Sequence, residues 1–276
     1  MLTLYLVTDR ELAGERPIDD VVNEAVAGGV TCVQVREKHT TTRAFVDQAQ
    51  RIRRVLDGTG VPLLINDRVD VALAVGADGV HLGQGDLHYP AARSLLGPNA
   101  IIGLSVETPA DVDEAEEWDV DYLAVSPVFT TPTKRDTRGS WGLDGVERVR
   151  EMSRHPLVAI GGINLRNAAD VMRSGADGIA VVSAICSAPD PRRAAAELRR
   201  RVDRVLQDRA TTTRGSAAPE TARETATPET ARESATPETA RETATPETAT
   251  HRATPQHATP QHATPHHGTP HLTERR

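Results

Sequence analysis

Eight short apolar runs recur along the chain: Leu4–Thr8, Cys32–Arg36, Leu63–Asn66, Gly79–Leu82, Ile101–Ser105, Tyr122–Ser126, Leu157–Ile160 and Gly178–Val182. Most are continuously apolar rather than alternating, the pattern of parallel strands covered on both faces. Helical patterns lie between them. Thr41–Asp57 sets Phe45, Ala49, Ile52 and Leu56 along one stripe, and Thr108-Pro109 supplies a helix start with proline at the first helical position. Eight such alternations predict a closed (β/α)8 TIM barrel rather than an open doubly wound sheet. An echo accompanies them: Gly76-Ala77-Asp78-Gly79-Val80 precedes the fourth strand and Gly175-Ala176-Asp177-Gly178-Ile179 the eighth. It fits a duplicated half-barrel, and it equally fits two good helix-to-strand turns.

Composition divides the 276 residues unequally. After Ala210 there is no Ile, Val, Phe, Tyr, Trp or Met, and from Pro219 the unit Pro-Glu-Thr-Ala-Arg-Glu-Thr-Ala-Thr repeats three times with one Ser substitution. Such a segment cannot bury enough apolar surface to offset the entropy of ordering it. The expected organisation is therefore a barrel over residues 1–208 and a disordered tail over 209–276. The tail carries eight basic and eight acidic side chains, so the formal charge of −7 belongs to the barrel.

A net acidic domain argues against nucleic-acid binding. No apolar stretch approaches the ~20 residues of a membrane span, and no signal-peptide pattern opens the chain. The expectation is a cytoplasmic protein, with monomer and homo-oligomer both left open. Cys32 and Cys186 show no metal-ligand spacing and read as core. Six of the ten histidines fall between His251 and His271 at irregular spacing, which reads as a solvated spacer.

The chemistry collects at strand ends. Gln34-Val35-Arg36-Glu37-Lys38, Asn66-Asp67-Arg68, Asp86, Ser105 and Thr131-Pro132-Thr133-Lys134 all follow predicted strands, where a barrel places its site. Arg36, Lys38 and Lys134 form an anion clamp, since arginine grips phosphate oxygens bidentately and lysine supplies a mobile point charge. Glu37 could orient these cations. Asp67 and Asp86 either cap the following helices or, with water and phosphate oxygens, form an octahedral oxygen site for Mg²⁺. Asp70 reads as a first-turn acid. Gly161-Gly162 and Val182-Ser183 close the last two strands with bare amides suited to a second phosphate. No nucleophile–base pair stands out, and His81, inside a strand, reads as a core histidine. The pocket thus fits a metal-bound diphosphate displaced by a second, phosphorylated substrate.

These motifs, in this order, resemble the thiamine phosphate synthase family across residues 2 to about 205: Gln34-Val35-Arg36-Glu37-Lys38, Asn66-Asp67-Arg68, His81-Leu82-Gly83-Gln84 with Asp86, Gly103-Leu104-Ser105, Thr131-Pro132-Thr133-Lys134, Ile160-Gly161-Gly162-Ile163 and Val182-Ser183. The resemblance implies joining 4-amino-2-methyl-5-pyrimidinylmethyl diphosphate to 4-methyl-5-(2-phosphoethyl)thiazole, with release of pyrophosphate. It implies Asp67 and Asp86 as Mg²⁺ ligands. Gln34, Val35, Arg36, Glu37, Lys38, Asn66, Ser105 and Lys134 would hold the pyrimidine diphosphate. Thr131, Thr133, Gly162, Val182 and Ser183 would lie at the thiazole phosphate, and Pro132 would also be substrate-binding. The catalytic group would be Arg36, Lys38, Ser105 and Lys134, assisting departure of pyrophosphate before the thiazole nitrogen attacks. Two departures from the family pattern stand out: Ser126 replaces a frequent glycine before Pro127, and Gly85 replaces a larger residue and could loosen Asp86. Two rivals are a thiazole tautomerase and a silent barrel that binds thiamine precursors and regulates a partner. The tautomerase histidine would fall at about Pro127, which cannot do acid–base work.

Overall fold

The computed structural model describes residues 2–131 and 139–216, with side chains through Thr212. Eight parallel strands close into a barrel in sequential order, β1 pairing with both β2 and β8. They are β1 Leu4–Val7, β2 Cys32–Val35, β3 Leu63–Asn66, β4 Gly79–Leu82, β5 Ile101–Val106, β6 Tyr122–Val125, β7 Leu157–Ile160 and β8 Gly178–Val181. The helices are α1 Arg10–Ala13, α2 Ile18–Ala27, α3 Thr42–Leu56, α4 Val69–Val75 and α5 Tyr89–Leu96. They continue with α6 Pro109–Ala115, α7 Gly142–Met152, α8 Ala168–Arg173, α9 Ser183–Cys186 and α10 Pro191–Ser216. Every predicted strand is present, with ends that differ by at most one residue.

Local chemistry sets the element boundaries. The Thr41 hydroxyl accepts the Ala44 N–H and opens α3, whose stripe Phe45, Ala49, Ile52 and Leu56 is buried as its spacing predicts. At α6 the expected start is a full capping box, Thr108 and Asp111 each accepting the other's backbone N–H. The two echoed aspartates also have a shared job. Asp78 Oδ2 accepts the N–H of Leu63 and Asp177 Oδ2 that of Leu157, each at 2.8 Å. Asp121 does the same for Ile102, at 2.8 Å. Each carboxylate clasps its strand to the preceding one at the bottom of the barrel, satisfying an otherwise unpaired donor.

Two cores result. The larger lies between the sheet and the helices and includes Leu6, Val33, Val35, Ile65 and Val80. The smaller fills the lumen with Tyr5, Val7, Cys32, Leu64, Tyr122, Ala124, Val158 and Ala180. Alternation along each strand separates them. Both cysteines are free and buried as expected, and burial pushes the Cys186 thiol up to about 11. The last helix continues through Ser216, beyond the expected tail boundary at 209, and Arg209 donates to the Ala176 carbonyl at 3.0 Å. No helix among the described residues is long and apolar enough to cross a membrane.

Candidate active site

A cavity of about 400 Å³ opens at the C-terminal ends of the strands. Gln34, Arg36, Lys38, Asn66, Asp67 and Asp86 line it, together with Ser105, Thr131, Gly162, Val182 and Ser183. Val35 and Glu37 do not. Strand alternation turns Val35 into the outer core, and the Glu37 carboxylate takes the Arg10 guanidinium at 3.2 Å rather than Arg36 or Lys38. Pro132, Thr133 and Lys134 lie outside the described residues. A wider groove of about 610 Å³ lies at the opposite mouth, among Gly58, Gly60, Asn99 and the first residues of β3 and β5. Among its described lining residues the single cation is Arg53, bonded to the Gly76 carbonyl.

The carboxylates are not helix caps. The cap position of α4 is Arg68 and that of α5 is His88, neither with a side-chain cap. Asp67 instead sits in the left-handed region with φ of 60°, rare for a residue with a Cβ though tolerated by aspartate. Its N–H is tied to the His81 carbonyl at 2.8 Å, and its Oδ2 receives the Lys38 ammonium at 2.7 Å. Asp86 Oδ2 accepts the Gly83 N–H at 2.7 Å, an anchor that does not depend on a side chain at Gly85. Asp70 faces solvent in the first turn of α4, paired with Arg68 at 2.5 Å.

The two carboxylates share a field. Burial and the Asp67 carboxylate push Asp86 up to about 6. Asp67 is held below the usual range: burial would raise it, but bonds to Asp86 and Lys38 outweigh that. Two acids competing for ionisation beside a lysine form an oxygen-only donor set that suits a hard divalent cation. Among the described residues no third His, Cys, Asp or Glu completes a protein cage, so other ligands would be water or substrate oxygens. Arg36 has no ion-pair partner among the described residues, its backbone N–H being held by the Thr8 hydroxyl at 3.1 Å.

Across the mouth the described rim residues Gly161, Gly162, Val182 and Ser183 are uncharged. Gly162 has φ of 66°, and a Cβ there would meet Phe129 Cβ at 2.8 Å, so the turn admits only glycine. Asn164 and Asn167 both donate to its carbonyl, at 3.2 and 3.0 Å, and fix the peptide plane. At α9 the Ile185 and Cys186 amides turn back to Val182 O, and Val182 and Ser183, at the start of this short helix, line the cavity.

Comparison with known proteins decides the family. The family model described as thiamine monophosphate synthase matches residues 4–185. The chain belongs to this family. It is 57% identical over 204 residues to the thiamine-phosphate synthase of Albidiferax ferrireducens, covering 74% of this chain and 93% of that protein. It is 54% identical over 200 residues to the thiamine-phosphate synthase of Leptospira biflexa, covering 71% and 95%. Among solved structures, the thiamine phosphate pyrophosphorylase from Pyrococcus furiosus superposes with a TM-score of 0.69 at 43% identity, covering 74% of this chain and 97% of that one. The curated relatives, named thiamine-phosphate synthase, do not favour the tautomerase reading, and Pro127, the residue expected in place of its histidine, lines the cavity.

Several lining residues carried no role in the sequence-based reading. Tyr5, His81, Gln84, Glu107 and Ser126 join the walls, with Ala124, Val158 and Ala180 below them. His81 is both a satisfied core histidine, bonded to Tyr122 and Ser105 at 2.9 Å each, and a wall of the cavity. The available signal was parity: Tyr5 and His81 occupy strand positions that face the lumen.

Proposed function

We propose that the protein makes thiamine phosphate, joining 4-amino-2-methyl-5-pyrimidinylmethyl diphosphate to 4-methyl-5-(2-phosphoethyl)thiazole and releasing pyrophosphate, within the cytoplasm. The observation that carries this reading is the division of one 400 Å³ cavity into a cationic, carboxylate-bearing side and an amide-lined side. The first suits a diphosphate with a counter-ion; the second suits a phosphate monoester.

In this reading Arg36, Lys38 and Lys134 bind and orient the diphosphate, and Asn66 donates to it. Asp67 and Asp86 would hold Mg²⁺, which when bound offsets negative charge on the departing diphosphate. The bond between the pyrimidinylmethyl carbon and the ester oxygen breaks, and its electron pair leaves with pyrophosphate. The thiazole nitrogen then gives its lone pair to that carbon. Gly162, Val182 and Ser183 hold the thiazole phosphate, with Thr131 and Thr133 beside it, so that the ring nitrogen faces the carbon. No protein nucleophile is required; rate comes from charge placement and orientation. Incubation of the purified protein with both substrates, with and without Mg²⁺, tests this. Thiamine phosphate should form only with the metal, and no product in either condition would leave a precursor-binding protein instead.

A further inference from the structure

Five buried side chains form one unbroken hydrogen-bonded chain across the barrel lumen. Gln34 Nε2 donates to Tyr5 Oη at 2.7 Å, Tyr5 Oη meets Tyr122 Oη at 3.1 Å, and Tyr122 Oη meets His81 Nδ1 at 2.9 Å. His81 Nε2 then meets Ser105 Oγ at 2.9 Å. The chain crosses β2, β1, β6, β4 and β5, and both its ends line the cavity. Gly103 makes the crossing feasible, since a Cβ there would collide with the Tyr122 ring. That ring instead lies stacked on His81, with centroids 5.7 Å apart.

The direction of donation follows from counting protons. Burial keeps both phenols protonated, well above the usual tyrosine range, and each hydroxyl has one proton to give. Tyr5 receives from Gln34, and its own proton goes to Tyr122 at 3.1 Å rather than to the neighbouring buried Cys32 thiol, a weak acceptor. Tyr122 gives its proton to His81 Nδ1. An accepting Nδ1 places the imidazole proton on Nε2, which donates to Ser105. The Ser105 proton is then left for an acceptor in the cavity, and the Gln34 carbonyl for a donor. Reversed, the chain would spend the Ser105 proton on His81 and turn the Gln34 amine inward.

We propose that Tyr5, Tyr122 and His81 are positioning residues that fix this direction, so that Gln34 accepts from the exocyclic amine of the pyrimidine and Ser105 donates to a ring nitrogen. The chain thereby selects an aminopyrimidine over its oxo counterpart, which would turn an acceptor toward the Gln34 carbonyl where the amine stood. This rests on the function proposed above, in which Gln34 and Ser105 face the pyrimidine.

The first test is independent of turnover: ¹⁵N shifts of histidine-labelled wild-type protein, with His81 assigned by His81→Gln. A neutral ring protonated at Nε2 is expected; protonation at Nδ1, or at both nitrogens, overturns the proposal. The second is Tyr122→Phe. Its kcat/KM for the aminopyrimidine diphosphate should fall about tenfold, the size of one neutral hydrogen bond, with KM for the thiazole phosphate within about twofold. Its preference for the amino over the oxo substrate should fall in step, and the effect should shrink in a Ser105→Ala background, where only the Gln34 end of the chain is left to respond. An undiminished effect in that background, or an unchanged amino/oxo preference, overturns it. Should Tyr122→Phe not fold, the tautomer measurement still decides. A wild-type protein that makes no thiamine phosphate would fail the proposed function instead, a result separate from the ring's protonation.

Discussion

Replacing Asp86 by asparagine should stabilise the metal-free protein while disabling it. Burial and the Asp67 carboxylate push Asp86 up to about 6, from 3.8. A carboxyl raised in the folded state binds more protons folded than unfolded between those two values, so its ionisation costs stability as pH rises. The cost is absent below about pH 4 and fully present above about pH 6. For a fully shielded group this gap is worth ~3 kcal/mol. Asp86 is half-buried, and solvent screening brings it to ~1 kcal/mol. Asparagine keeps a carbonyl for the Gly83 N–H and lacks the charge. In chelator at pH 8, Asp86→Asn should therefore melt ~2–4 °C above wild type, with the gain halved near pH 5 and gone near pH 4. Turnover with Mg²⁺ should fall ~100-fold, because one of the two proposed metal ligands is lost. Thermal scans in chelator at three pH values, with a Mg²⁺-dependent assay, read both effects. A lower melting temperature at pH 8, or full turnover, would refute the reasoning.

Other substitutions separate the remaining claims. Lys134→Ala should raise KM for the pyrimidine diphosphate ~10- to 100-fold, a charge-assisted bond lost, while Ser183→Ala raises KM for the thiazole phosphate ~5-fold; steady-state kinetics giving the reverse would show the subsites exchanged. Burial alone would raise Glu116, but the Ser153 hydroxyl at 2.5 Å, the Arg154 backbone and the His155 ring hold it below 4.5. Its stabilisation is present above about pH 4.5 and lost as pH falls through the lowered value, so Glu116→Gln should cost under ~1 kcal/mol in urea at pH 7 and progressively less as the medium is acidified below pH 4.5. Truncation after Ser216 should leave turnover and melting temperature unchanged; a marked loss in either would mean that the tail contributes to the barrel.

The fold was legible because parallel strands buried on both faces read as apolar runs, and glycines, prolines and capping residues mark the intervening helices. The cavity lining was legible as strand-end polarity, yet a linear motif hides its faces. In Gln34-Val35-Arg36-Glu37-Lys38 the pleat sends Gln34 and Arg36 to the cavity and Val35 to the outer core, a division of period two that the sequence contains. Partner choice was not legible. Nothing in the chain order says that Lys38 meets Asp67 or that Glu37 meets Arg10, since those pairings depend on neighbouring segments packed side by side. His81 resembled a core histidine because it is one; only the closed barrel shows that Tyr122, forty-one positions on, joins it to the pocket wall.

A crystal structure with Mg²⁺ and an unreactive pyrimidine diphosphate analogue tests the central claim most directly. The account predicts the cation held by Asp67, Asp86 and diphosphate oxygens, with Arg36 and Lys38 on the diphosphate and the ring between Gln34 and Ser105. An analogue seated in the groove at the opposite mouth, or a cation touching neither aspartate, would contradict it.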